Sequence, residues 1–267
     1  GPENTLNNVH TLISTLQTHR WVFDTGGAAP DATTSSGNYI PLLVGISQEG
    51  DLAPYDQILN GVTSLPNPMA VGATWDPALA ESTGAVMGKE LQALGFNLFL
   101  GPSLDVLDVI RTEPSEDLGT RAFGADPYWV GKMGSAYIKG LHEGSSGRMA
   151  VIAKHFPGAG GSDRPTEDEV ATVRKSLEQL KQIELAPFFT VTGNAPSAET
   201  TADGLLVTHI RYQGFQGNIR ATTRPVSLDG TSLEQLLTLP ELAQWRANQG
   251  VLVSDDLGSN AIRRFTD

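Results

Sequence analysis

Two carboxylates stand side by side at Asp255-Asp256, directly after the apolar run Gly250-Val251-Leu252-Val253. A carboxylate at the end of a buried strand is desolvated unless it is paired. Held rigid and ionised, such a group can act as a nucleophile, for example toward an anomeric carbon. The same residue can equally cap a helix or accept a structural hydrogen bond. Adjacent strand residues point to opposite faces, so one of the pair should reach a ligand. Asp255 is the candidate and Asp256 its rival.

Lys154-His155 is the second feature, followed by Phe156-Pro157-Gly158-Ala159-Gly160-Gly161. A Gly-rich turn lets backbone approach a ligand closely. Lysine and histidine donors suit hydroxyl groups, and their charge keeps a neighbouring carboxylate ionised; a salt-bridged strand end is the other reading. A metal site is disfavoured, because no second histidine stands at ligand spacing. Arg121 offers a planar donor fork or is a surface residue. Asp105 is a ligand contact or a loop anchor. His209 is a ligand contact or a satisfied core histidine.

The elements that would position these groups are short apolar runs: 41–46, 97–100, 149–153, 204–207 and 250–253, with Trp21-Val22-Phe23 as a weaker strand candidate. Continuous apolar runs without alternation suit strands buried on both faces of a parallel sheet. Helices fall between them. Asp76-Pro77 and Asp126-Pro127 each supply an N-cap followed by a first-turn proline. A third helix is expected over about 175–190, and a two-piece helix after Thr231 interrupted at Pro240. Thr25 to Asn38 and Asn194 to Asp203 read as loops. The alternation of strand and helix predicts an α/β fold, either a closed barrel or an open doubly wound sheet. No G-x-G-x-x-G or Walker pattern supports a nucleotide-binding open sheet. In a barrel, the strand ends form one rim, and the polar residues after the apolar runs would converge there.

Composition narrows the partners. The 267 residues carry a formal net charge of -12 and are 39% hydrophobic, enough for one core and a single domain over 1–267. Nucleic-acid binding needs a basic surface, so it is disfavoured. Without cysteine there are no disulfides or thiolate metal sites. No apolar run reaches the roughly 18 residues that span a bilayer. Gly1-Pro2 resembles a protease scar rather than a signal sequence, and location stays open.

The motifs together resemble the glycoside hydrolase family 3 N-terminal domain, particularly its β-N-acetylhexosaminidase branch. Lys154-His155-Phe156-Pro157-Gly158 is similar to that branch's signature, and Val253-Ser254-Asp255-Asp256-Leu257 to its nucleophile strand. Gly119 to Pro127 looks like the arginine-bearing segment, Gly101 to Val106 the third-strand end, and Gln48-Glu49-Gly50 the second. The resemblance implies a TIM-type (β/α) barrel that cleaves β-linked sugars with retention, and needs no cofactor. It implies Asp255 as nucleophile and Arg121, Lys154 and His155 as sugar-binding groups, with Asp105 and His209 mapping near the same subsite.

Three residues depart from the pattern. Ser47 stands where the family usually has a sugar-binding Asp. Ala159 replaces a common histidine. The branch's acid/base histidine has no counterpart in residues 160–169. Retaining hydrolysis needs a proton donor, and Asp163, Glu167, Asp168 and Glu169 are candidates, with Asp168 nearest the histidine's place by spacing. A solvated acidic loop is the bland alternative. The resemblance starts near the first crossover and stops soon after the nucleophile strand, so the expected barrel is incomplete at both ends. Exposed sheet edges invite pairing, which leaves a homo-oligomer or domain-exchanged dimer open. The expected substrate is a terminal β-N-acetylglucosaminide. The alternatives are a β-glucoside on the same barrel and a degenerate barrel that binds glycans without cleaving them.

Overall fold

A computed structural model describes residues 2–26, 39–110, 118–166 and 169–266. Residues 27–38 of the expected loop, and Glu167 and Asp168, lie outside them.

The strands are β1 (Gly45–Ile46), β2 (Leu98–Ser103), β3 (Ala150–Phe156), β4 (Thr172–Val173), β5 (Gly204–Val207), β6 (Arg211–Tyr212) and β7 (Val251–Ser254). The main sheet has the order β1-β2-β3-β5-β7, and every pairing in it is parallel. Each strand joins the same growing edge. A doubly wound sheet would reverse direction at a switch point; this order never reverses, and it traces the arc of a (β/α) barrel wall. Among the described residues β1 and β7 do not pair with each other, so the wall is an arc of five strands.

The helices are α1 (Pro2–Thr25), α2 (Pro68–Gly72), α3 (Pro77–Ala93), α4 (Pro127–Gly144), α5 (Leu177–Gln182), α6 (Ala186–Thr190), α7 (Gln213–Gln216), α8 (Gly230–Leu237), α9 (Pro240–Ala247) and α10 (Arg263–Thr266). Asp76 caps α3 by accepting from the Ala78 N–H, and Asp126 caps α4 by accepting from the Trp129 N–H, as their sequence context predicts. The apolar face of α4 (Val130, Met133, Ile138, Leu141) is buried against the core that Phe99, Val151, Ala153 and Leu205 complete.

The structure corrects several expected elements. Trp21-Val22-Phe23 is no strand: it ends α1. The helix expected over 175–190 is broken into α5 and α6, because Pro187 lacks an N–H and its ring clashes with a preceding helical turn. The run 41–46 pairs only at Gly45 and Ile46. Before that, side chains replace the ladder: Val44 N–H donates to Asn97 Oδ1 (2.7 Å), Asn97 Nδ2 to Leu42 O (2.9 Å) and Leu42 N–H to Gln17 Oε1 (3.0 Å). The run 149–153 extends through Lys154 and His155, so those residues lie within β3 rather than after it. A 3-10 turn interrupts the loop at Ala198–Thr200.

Helices α3 and α4 meet backbone to backbone. A Cβ at Gly140 would lie 2.0 Å from Glu81 O, and one at Gly84 2.2 Å from Tyr137 O. Neither contact can be relieved by a rotamer change. Gly140→Ala should therefore destabilise the fold by about 2–3 kcal/mol, at the upper end of ordinary overpacking, with a lower urea midpoint and an unchanged m-value. A loss below about 0.5 kcal/mol would mean that the helices separate freely.

Candidate active site

The C-terminal ends of the parallel strands share one rim, and the register sets its height. Ser103 stands beside Lys154 across β2 and β3. Phe156 stands beside Val207, and Val207 beside Ser254. Asp255 is thus one step past the last rung, where its N–H donates to Val207 O at 3.1 Å. Two strand spacings separate β3 from β7, roughly 10 Å. Register shifts fall at Leu100/Ser103 and at Ala153/Phe156, beside Lys154 and His155. Such irregularities re-aim side chains locally.

One carboxylate organises the cations. Glu49, in the turn after β1, forms an ion pair with Lys154 Nζ through one oxygen and with Arg121 Nε at 3.7 Å through the other. Lys154 Nζ also donates to Ser47 Oγ at 2.9 Å. The Arg121 guanidinium lies 4.7 Å from the Tyr55 ring centre, an attractive arrangement. Asp56 fixes the Glu49 turn: its Oδ1 accepts from the Glu49 and Gly50 N–H groups at 2.7 Å each. Gly50 adopts φ 90, and a Cβ there would collide with Pro66 O at 2.5 Å. Glycine is required at that corner.

A second carboxylate orients His155. Asp105 is fully buried. It accepts from His155 Nδ1 at 2.7 Å, from the Ala159 N–H at 2.6 Å and from Ser103 Oγ at 2.7 Å. The imidazole keeps a partly exposed edge toward the rim. Burial alone would raise the Asp105 carboxyl, but the His155 charge and these hydrogen bonds outweigh it and hold it below the ordinary range. The turn after His155 is braced from behind. Tyr212 donates its hydroxyl to Gly158 O at 2.7 Å. Lys175 pairs with the buried Glu184 and, at 2.8 Å, with Asp108. Burial pushes the Glu184 carboxyl up, against the pull of Lys175.

Asp255 is half-buried, and its Oδ1 accepts from the Asp256 N–H at 2.9 Å. Asp256 turns outward, where its Oδ1 accepts from the Gly258 N–H at 2.8 Å. The Asp256 backbone is tethered to the segment after β5: His209 Nε2 donates to Asp256 O at 3.0 Å, and its Nδ1 meets Ser227 Oγ at 2.7 Å. Both ring nitrogens of His209 are thereby engaged within the protein. Of the acidic candidates, Asp163 accepts from the Thr172 N–H at 2.8 Å and pairs with Arg164 at 3.2 Å and Arg174 at 3.5 Å. Glu169 pairs with Arg164 at 2.5 Å. Glu167 and Asp168 lie outside the described residues. Among the described residues no group of three or more His, Cys, Asp or Glu side chains could hold a metal ion, and no helix is long and apolar enough to cross a membrane.

Lys154, His155, Arg121, Asp105, His209 and Asp255 all reach this rim or the loops that build it. Sequence reasoning missed Glu49 as the partner of both cations. The available signal was an acid three residues past the β1 end, facing two basic residues on the same predicted rim.

Comparisons with known proteins bear on the family and the fold. The description "Glycosyl hydrolase family 3 N terminal domain" matches residues 14–266. A protein named beta-hexosaminidase from Pseudomonas aeruginosa is 30% identical over 217 residues, covering 81% of this chain and 57% of that protein. One of the same name from Hydrogenovibrio crunogenus is 29% identical over 189 residues, covering 71% and 46%. The chain thus spans about half the length of these curated relatives. The solved family 3 β-N-acetylglucosaminidase from Paenibacillus sp. str. FPU-7 superposes with a TM-score of 0.78 at 29% identity, over 97% of this chain and 42% of that one.

The Asp105 pair has a pH signature. A carboxylate whose folded pKa is depressed contributes stability above its unfolded pKa and loses it as pH falls through the folded value. The wild type's resistance to urea unfolding should therefore weaken as pH falls through and below the ordinary carboxylate range. Asp105→Asn should be less stable at neutral pH by roughly 2 kcal/mol and show a shallower acid slope. Parallel slopes for the two proteins would contradict the depressed carboxyl.

Proposed function

We propose a function on one premise: the chain belongs to the glycosyl hydrolase family 3 N-terminal domain family. It acts as the barrel of a retaining glycosidase on β-linked sugars, with terminal β-N-acetylglucosaminides as its substrate. The hexosaminidase and β-N-acetylglucosaminidase names of its relatives support that specificity. The observation that carries the reading is a carboxylate at 255 one step past the β7 rung, on the same rim as Lys154 and His155.

In this reading the Asp255 carboxylate attacks the sugar C1 as the leaving oxygen takes a proton from a general acid. Water then displaces the carboxylate and returns that proton to the same group. Lys154, His155 and Arg121 donate to sugar hydroxyls, preset by Glu49 and Asp105. Asp105 and His209 act at one remove, through His155 and the Asp256 backbone. Asp163 and Glu169 are already engaged by arginines, which leaves Glu167 and Asp168 as the proposed acid. A carboxyl in that role needs a raised pKa.

Asp255→Ala should abolish hydrolysis of aryl β-N-acetylglucosaminides while circular dichroism and melting stay unchanged. Mass spectrometry of the wild type treated with a fluorinated glycoside should find the adduct on Asp255. A folded, active Asp255→Ala variant would sink the assignment. A panel of aryl glycosides sets the sugar preference, with a β-glucoside as the rival. Ser47 and the absent histidine favour a second reading, a glycan-binding barrel without turnover; the lack of any adduct would support it.

For the acid, Glu167→Gln or Asp168→Asn should slow poor leaving groups by roughly 10²–10⁴-fold and spare activated ones. Equal losses on both substrate types would remove these residues from the acid role.

A further inference from the structure

The chain carries only 18 Lys and Arg residues against 30 acids, yet six of its arginines line one cleft. Arg164, Arg174, Arg211, Arg220, Arg263 and Arg264 surround a cavity of about 630 Å³. The loops after β3, β5 and β7 build it, so it opens beside the rim described above. A chance scatter of charge on an acidic protein would place carboxylates among these arginines. Among the described lining residues Glu169 is the only acid, and it is paired with Arg164.

The neutralisation is uneven. Asp163 and Glu169 compensate Arg164, and Asp163 reaches Arg174. Among the described residues no carboxylate pairs with Arg211, Arg220 or Arg264. Arg211 is buried, with Nε donating to Thr223 O at 2.6 Å and Nη2 to Ala221 O at 3.1 Å. Two carbonyls hold it in place without cancelling its charge. Arg211 and Arg264 both approach the Phe265 ring, at 5.7 and 4.8 Å, so one aromatic side chain fixes two guanidinium groups as neighbours. Burial, and then the charges of Arg264 and Arg164, pull the Arg211 guanidinium below its usual range. Like charges gathered this way repel one another until an anion sits between them.

We propose that this cleft binds a small ligand bearing a multiply charged oxyanion of the phosphate or sulfate class. Guanidinium forks match tetrahedral oxyanions through paired N–H donors. Three guanidinium groups that no described carboxylate pairs call for at least a dianion. The cavity suits a small molecule, and the surrounding surface of an acidic chain repels a long polyanion. Binding here is independent of the glycosidase reading, because no glycoside contact enters the argument.

The test is calorimetry and thermal melting of the whole chain with pyrophosphate, against sodium chloride at equal ionic strength. Pyrophosphate should bind with a submillimolar Kd and raise the melting temperature where chloride does not. Arg220→Gln/Arg264→Gln replaces exposed side chains and should weaken binding at least tenfold. Glucosamine 6-phosphate and inorganic phosphate separate the sources: tighter binding of the sugar phosphate assigns the anion to a saccharide, tighter binding of phosphate to the free ion. Pyrophosphate acting no better than chloride overturns the proposal, as does an unchanged affinity in the double variant. If that variant does not fold, the wild-type comparison alone decides.

Discussion

A single buried carboxylate shared between two cations governs this rim. Glu49 reaches Lys154 with one oxygen and Arg121 with the other. An unpaired lysine or arginine in that setting would carry a heavy desolvation cost. Glu49 makes the burial tolerable and fixes where both donors stand. It holds that position because Asp56 ties down the backbone beside it. The cations belong to β3 and to the segment after β2, while the acid belongs to the turn after β1. Two separate crossovers, β1 to β2 and β2 to β3, therefore have to fold correctly before these charges are satisfied.

Asp105 repeats the logic one strand over. It is buried beneath the rim, receives three donors, and directs the His155 ring outward. The two register shifts in β2 and β3 lie at the same height. Regular pleating would place successive side chains on opposite faces; local irregularity there lets Lys154 meet Glu49 while His155 meets Asp105. Behind both, the Lys175–Glu184 pair and the Tyr212 hydroxyl brace the glycine turn from 158 to 161. The site is built by layered support, with charged groups near the rim and hydrogen-bonded backbone below.

Much of this was legible in the residue order. Short apolar runs ending in polar residues identified all five main strands, because strands buried on both faces cannot alternate. The Asp-Pro pairs located α3 and α4, since cap and first-turn proline act locally. Lys154, His155, Arg121 and Asp255 stood out by type and position. What escaped depended on partners distant in sequence. Trp21 to Phe23 has strand-like residues, but they continue the long helix α1. Glu49 reads as an ordinary turn acid until β1 and β3 are set within reach of each other. The break at Pro187 was visible as a proline, yet its effect was masked by the apolar spacing of Leu177, Leu180 and Leu185. The direction of the strand order, which separates a barrel arc from a doubly wound sheet, is a tertiary property with no local signature.

The small sheet of β4 and β6 has a dynamic consequence. Thr172 pairs with Arg211 and Val173 with Tyr212, while Ser162 bridges Val173 from the other side. The loops after β3 and β5 are stitched together above the main wall. They therefore cannot breathe separately: an opening that frees one must also unzip the other. The two segments form one cooperative unit in the sense of local unfolding, and a disturbance at Tyr212 is felt at Gly158 through the same seam.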